Sequence, residues 1–147
     1  MEILNNIQPW HIGFLVNDIL RARKSMQNLP GMGSAEVIEI AFPAEDMEVG
    51  RPLNVKVCNL PYMGTILELI QPVNCPDSYI SQEIDKRGSG IHHMAYALPG
   101  IYDETVSDLT SKGWKVCMAA NHLGIRNCFV ESQDGSAVLE LIEKIPG

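Results

Sequence analysis

The stretch HHMAYAL, His92 to Leu98, repeats the pattern of HIGFLV, His11 to Val16, and the fold follows from that repeat. Each is a short apolar run that opens on histidine and leads into a helix-like segment, NDILRARKSMQNLPG in the first case and GIYDETVSDLTSKG in the second. Asn17 or Asp18 is the expected cap of the first helix, and Pro30-Gly31 its stop. Strand patterns follow at Ala35 to Ala41, Leu53 to Leu60 and Thr65 to Ile70, the last two across a turn at PYMG. The second half answers with WKVC, IRNCFVES and SAVLELIEKI. Glu68-Leu69-Ile70 and Glu140-Leu141-Ile142 are the clearest match. His93 follows His11 by 82 positions and Glu140 follows Glu68 by 72, so the second copy is about ten residues shorter. The acidic stretch FPAEDMEVGRP, Phe42 to Pro52, reads as a loop without apolar period and accounts for the difference.

The predicted class is therefore α+β: two βαβββ modules, about 8–72 and 90–145, within one domain spanning 1–147. A linker with a short helix, NCPDSYISQEIDKRGSG, joins them. Pairing across a pseudo-twofold explains how two halves that are each too short for a core of their own can share one.

Alternation along the strands selects the chemistry. His11, Gly13 and Leu15 share one face of the first strand, and the repeat sets His93, Ala95 and Ala97 on the equivalent face of its own, with His92 pointing the other way. Glu68 shares a face with Ile66 and Ile70, and Glu140 with Val138 and Ile142. A carboxylate amid apolar strand neighbours is costly unless it is paired or bound. Both halves make the same costly choice. Two imidazoles and two carboxylates at repeated positions suit one first-row divalent ion, Co, Mn, Ni or Zn, with open positions left for substrate oxygens.

Composition narrows the partners. The 147 residues are 46% hydrophobic and 20% charged, with a formal charge of −7, which gives no electrostatic reason to expect nucleic acid or an anionic membrane. A small-molecule substrate is the expected partner. Cys58, Cys75, Cys117 and Cys128 lie far apart and read as thiols rather than a disulfide framework. No long apolar run or leader-like segment opens the sequence, so the expected location is the cytoplasm.

The segments WHIGFLVNDI, GSGIHHMAYAL and DGSAVLELIE, with TILELIQP in support, resemble the vicinal oxygen chelate (glyoxalase, bleomycin resistance and dioxygenase) superfamily over nearly the whole chain, and within it the methylmalonyl-CoA epimerases. The resemblance implies a curved mixed sheet around a metal cleft. It assigns His11, Glu68, His93 and Glu140 as ligands of one divalent ion per chain, and a homodimer as the assembly. The implied reaction is metal-dependent epimerisation of a 2-substituted malonyl-CoA type thioester through an enediolate, with Glu140 as one proton carrier. A second carrier is expected from PAEDMEVGRP, which offers Glu45, Asp46 and Glu48, with Glu48 favoured because it lies closest to the following strand. The substrate-side stretch AANHLGIRN, read as a loop, offers Arg126 for a carboxylate and His122 as a hydrogen-bond donor. Lys86 and Arg87 are the nearest cations for a CoA phosphate. The same ligands also fit a glyoxalase I-like lyase or isomerase acting on a thiol adduct, and the same fold serves non-enzymatic drug-binding proteins. An extradiol dioxygenase would use two histidines and one glutamate, so Glu68 as a fourth ligand stands against it.

Overall fold

The computed structural model of the protein describes residues 9–144, so the outermost bounds expected for the modules, residues 8 and 145, lie outside the described residues. Strand β1 (Pro9–Leu15) is followed by α1 (Ile19–Met26), β2 (Val37–Phe42), a single 3-10 turn (Ala44–Asp46), β3 (Met47–Val49), β4 (Leu53–Tyr62) and β5 (Thr65–Pro72). Helix α2 (Tyr79–Arg87) leads to β6 (Gly90–Ala97), α3 (Tyr102–Ser111), β7 (Lys115–His122), β8 (Ile125–Glu131) and β9 (Val138–Lys144). All strands join one sheet in the order β2-β4-β5-β1-β6-β9-β8-β7-β3. Apart from the parallel pairs β1–β5 and β6–β9, its neighbours run antiparallel. Outward from the β1–β6 seam, β1-β5-β4-β2 on one side matches β6-β9-β8-β7 on the other, with β3 of the first half added beyond β7. That is the pseudo-twofold expected from the repeat.

The ELI segments show how alternation builds the layers. Leu69 and Leu141 are fully buried, Leu69 with Val16 and Ile19 beside α1, Leu141 with Leu98, Tyr102 and Leu109 beside α3. Glu68 and Glu140, one residue earlier, face the other side of the sheet. A third cluster, which includes Leu15, Val55, Ile70, Met118 and Phe129, fills that side. Ile40 and Phe42 of β2 line one cavity there together with Met118 of β7, although the two strands lie near opposite ends of the sheet order. The sheet is therefore strongly curved, and its concave face encloses the cleft.

The structure alters three local expectations. The acidic stretch is not simply a loop: its 3-10 turn and β3 carry the chain from β2 across to the far edge, where Met47 pairs with Ala120 of β7. Hydrogen bonding to an open edge strand made this element, and no apolar period announced it. Second, the strand at WKVC runs on through Ala119, Ala120 and Asn121 to His122, so most of AANHLGIRN is strand. Its turn is only Leu123 (φ 51°) and Gly124 (φ 78°), matching Met63 (φ 47°) and Gly64 (φ 82°) between β4 and β5. Positive φ at both central residues is the two-residue hairpin that fits strand twist. Third, the linker helix α2 is part of the core, with Ile80 and Glu83 buried. Asp18 does cap α1, its carboxylate accepting from the Arg21 N–H at 3.1 Å. The four cysteines are free thiols.

Candidate metal centre

Register brings the repeated residues together. Gly13 of β1 lies between Glu68 of β5 and His93 of β6, while Ala95 of β6 lies between His11 of β1 and Glu140 of β9. Each half's glutamate thus sits one small residue away from the other half's histidine. One ligand atom from each of His11, Glu68, His93 and Glu140 lies within 4.8 Å of all the others. His11 Nε2 is 3.1 Å from Glu68 Oε1 and 3.0 Å from Glu140 Oε1. Glu140 Oε2 accepts a 3.0 Å hydrogen bond from Asn127 Nδ2 of β8, so both its oxygens are held.

The donor set fits a divalent cation on two grounds. Burial opposes charge on His11, yet the Glu140 and Glu68 carboxylates outweigh it and raise its pKa to about 10. Burial likewise disfavours the Glu140 carboxylate, but His11 and His93 hold its pKa low. The cluster draws positive charge, which a metal ion supplies in place of protons. The second ground is His93 itself. Its Nε2 is fully buried, 3.3 Å from Glu140 Oε1 and 3.8 Å from Glu68 Oε1, without the alignment of a hydrogen bond to either. A buried nitrogen without a hydrogen-bond partner, aimed at two carboxylates, is a ligand position.

His92 fixes the tautomer that makes this nitrogen available. Glu83 Oε1 accepts from Tyr79 Oη at 3.1 Å, from Arg87 Nε at 2.9 Å and from His92 Nε2 at 3.0 Å. Burial lowers the His92 pKa to about 4, so its ring is neutral, and with the proton on Nε2 its Nδ1 can only accept. The His93 Nδ1, 2.8 Å away, must then be the donor. That leaves the Nε2 lone pair of His93 directed at the cluster, as a metal ligand requires. His92 does point away from the cluster, as its strand face implies, but it acts on the ligand from behind. His93→Ala is expected to lose the ion, whereas His92→Phe should hold it at saturating metal with affinity lower by about 10- to 100-fold. Competition titration against a chromophoric chelator separates the two, and parent-level affinity in His92→Phe would contradict the tautomer argument.

Two spaces with lining residues in common open on the cluster. An inner chamber of about 90 Å³ is lined by Glu68, Asn127 and Glu140 and by Val55, Ile80, Met118 and Phe129. An outer one of about 290 Å³ shares Glu68, Asn127 and Glu140 and adds His11, His122 and Trp10. A shallower apolar groove continues from Trp10, Ile125 and Ile142 to Leu98, Pro99 and Lys144.

Residues 10–130 match the profile of the Glyoxalase/Bleomycin resistance protein/Dioxygenase superfamily. The chain belongs to this superfamily. Similar solved structures include a hypothetical protein from Bacillus halodurans C-125, 24% identical with 97% of each chain covered and a TM-score of 0.62. Methylmalonyl-CoA epimerase from Mycobacterium tuberculosis is 21% identical over 95% of this chain and 90% of that one, with a TM-score of 0.65. A Streptomyces coelicolor methylmalonyl-CoA epimerase variant in complex with 2-nitronate-propionyl-CoA is 20% identical over 94% of each chain, with a TM-score of 0.64. At these identities the likeness is one of fold. No curated protein sequence matches the chain.

Within this glyoxalase-superfamily cleft the remaining expected residues divide. His122 lines the outer chamber, its Nδ1 2.6 Å from Asp46 Oδ2. Arg126 and Glu48 line neither chamber. On β8 the side chain of Asn127 faces the cleft, so Arg126 faces α3, where both its Nη atoms bond Asp103 at 3.2 and 3.0 Å above the Tyr102 ring. Met47 of β3 packs against the cleft-side cluster, so Glu48 turns outward; it is 47% exposed, 3.9 Å from Arg126 Nε. Arg87 is occupied by Glu83, Glu131 and the Gly135 carbonyl, and Lys86 lies 3.7 Å from Glu131. Sequence reading missed Asn127, Glu83 and Tyr79, and it preferred Glu48 to Asp46 within the acidic stretch. Only the acidic and aromatic residues of α2, set just before the His pair, offered a signal for any of them.

Proposed function

We propose that the protein is a metal-dependent isomerase that moves a proton at the carbon beside a thioester carbonyl, with an acyl-CoA-type compound as substrate, most simply an epimerase of a 2-substituted malonyl thioester. The observation that carries this reading is the buried His11, Glu68, His93 and Glu140 cluster opening onto a two-part chamber. His11, Glu68 and His93 would hold the ion with Glu140. When bound, the ion supplies a Lewis acid for the negative charge that develops on carbonyl oxygens as the proton leaves. The chain's own residues do the rest. Glu140, gripped by Asn127, is the carboxylate placed to accept or return the α proton. Val55, Ile80, Met118 and Phe129 keep the inner chamber apolar and take a small alkyl substituent. The apolar groove from Trp10 to Lys144, with a cation among its lining residues, is the path for an extended thioester tail. Every ligand comes from one chain, so pairing of two chains is not needed to build the cleft.

The test is methylmalonyl-CoA incubated in deuterated water with metal-loaded protein and followed by NMR. Solvent deuterium is expected at the α carbon together with interconversion of the epimers. Exchange no faster than in a protein-free control, alongside turnover of a hemithioacetal thiol adduct, would move the reading to glyoxalase-type isomerisation.

A further inference from the structure

We propose that Asp46 and His122 form a proton-transferring dyad, with His122 Nε2 as the second carrier that works on the substrate together with Glu140; this inference rests on the epimerase reading. The pair is assembled from both halves. Asp46 ends the 3-10 turn that carries the chain across the mouth of the cleft, and the pairing of Met47 with Ala120 sets it beside the end of β7, where His122 precedes the hairpin turn. Asp46 Oδ2 lies 2.6 Å from His122 Nδ1, and the Phe42 ring packs on the imidazole with centroids 5.0 Å apart. An Asp carboxylate on Nδ1 fixes the ring's orientation and tautomer, and it stabilises the imidazolium once Nε2 has taken a proton. Among the described residues Nε2 makes no hydrogen bond, and the ring lines the same outer chamber as His11, Glu68 and Glu140. Glu48, the acidic residue nearest the following strand, faces Arg126 instead.

The steps balance with two carriers. In one direction the Glu140 carboxylate takes the α proton as the C–H bond breaks and its electron pair moves toward the thioester oxygen. The His122 imidazolium then donates a proton from Nε2 to the opposite face of the α carbon, and solvent resets both carriers. In the other direction neutral His122 removes the proton and protonated Glu140 returns one. Asp46 is a positioning residue, since it acts through His122.

The dyad predicts a signature that a merely structural role would not give. Starting from one epimer of methylmalonyl-CoA in deuterated water, His122→Gln protein with normal metal content should slow inversion by about 10²-fold or more. It should still exchange the α proton of the epimer that Glu140 serves, with retention of configuration. Asp46→Asn should shift the ratio of exchange to inversion in the same direction by a smaller factor. Inversion at the parent rate in His122→Gln would overturn the dyad and leave the epimerase reading standing, as would exchange without inversion in Glu48→Gln alone. A parent protein that neither exchanges nor inverts would overturn the epimerase reading and the dyad with it.

Discussion

Protein carrying Gly13→Ala should retain no divalent ion at metal concentrations that fill the parent site. A Cβ at this position would stand 2.0 Å from His93 Cε1 and 2.1 Å from His93 Nε2. Contacts that short do not occur, so the imidazole would have to move, and it has nowhere to go. His92 Nδ1 holds it from behind at 2.8 Å, and the Phe129 ring packs against it edge-on with centroids 4.8 Å apart. The ligand nitrogen itself is displaced, so affinity should fall by at least about 10²-fold, the upper end of what a lost orienting contact alone costs. Stability should fall less dramatically, by about 1–3 kcal/mol, the usual range for overpacking a filled site. Elemental analysis after dialysis, paired with a thermal melt, reads the two effects separately. The residue at the symmetry-related place, Ala95, already carries a methyl group, so Ala95→Gly makes a fair control that should keep its ion. A Gly13→Ala protein with full metal content would mean that His93 is not a ligand.

Glu140→Gln and Glu68→Gln should differ sharply, although the two glutamates are repeat partners. Both Glu140 oxygens are occupied, one by His11 Nε2 and the other by the Asn127 amide. A glutamine has one acceptor. Turned to keep its oxygen on the cluster, it sets its own NH₂ against Asn127 Nδ2; turned the other way, it presents NH₂ to the ion. It also lacks a carboxylate to receive the α proton. Loss of proton exchange by about 10²- to 10⁴-fold is expected, the range for a removed general acid or base. Glu68 is 16% exposed and meets the cluster through Oε1 alone, so an amide oxygen there can still ligate, and turnover within about tenfold of the parent is expected. NMR exchange rates with metal content measured on the same samples decide it. A larger loss in Glu68→Gln would exchange the roles of the two carboxylates.

Much of the metal centre is written locally. Histidine, small residue at the second place beyond, and Glu-Leu-Ile at the close of each half are short-range patterns, and a two-residue period is enough to put His11, His93, Glu68 and Glu140 on the cleft face. The repeat supplied the rest of the topology. What escaped reading depends on distant segments meeting. Strand β3 forms because an edge of β7 is open to it, 76 positions separate Asp46 from its partner His122, and Asn127 matters only because β8 lies beside β9. Arg126 and Glu48 were legible as charged residues near the right strands, but which face each takes depended on neighbours: Asn127 claims the cleft side of β8, and Met47 the cleft side of β3. His92 was assigned to the correct side of its strand, while its partner Glu83 sits on a helix whose packing no period in the linker revealed.

The crossed rows Glu68–Gly13–His93 and His11–Ala95–Glu140 have a thermodynamic consequence. Each half of the molecule supplies one imidazole and one carboxylate of the cluster, so the ion's full affinity is available only when the halves are docked. Occupancy and docking are then linked functions: an ion at about 100 times its Kd adds about 2.7 kcal/mol to the seam between β1 and β6. Chelation should therefore loosen the molecule first along that seam, raising amide exchange in β1 and β6 before the outer hairpins respond.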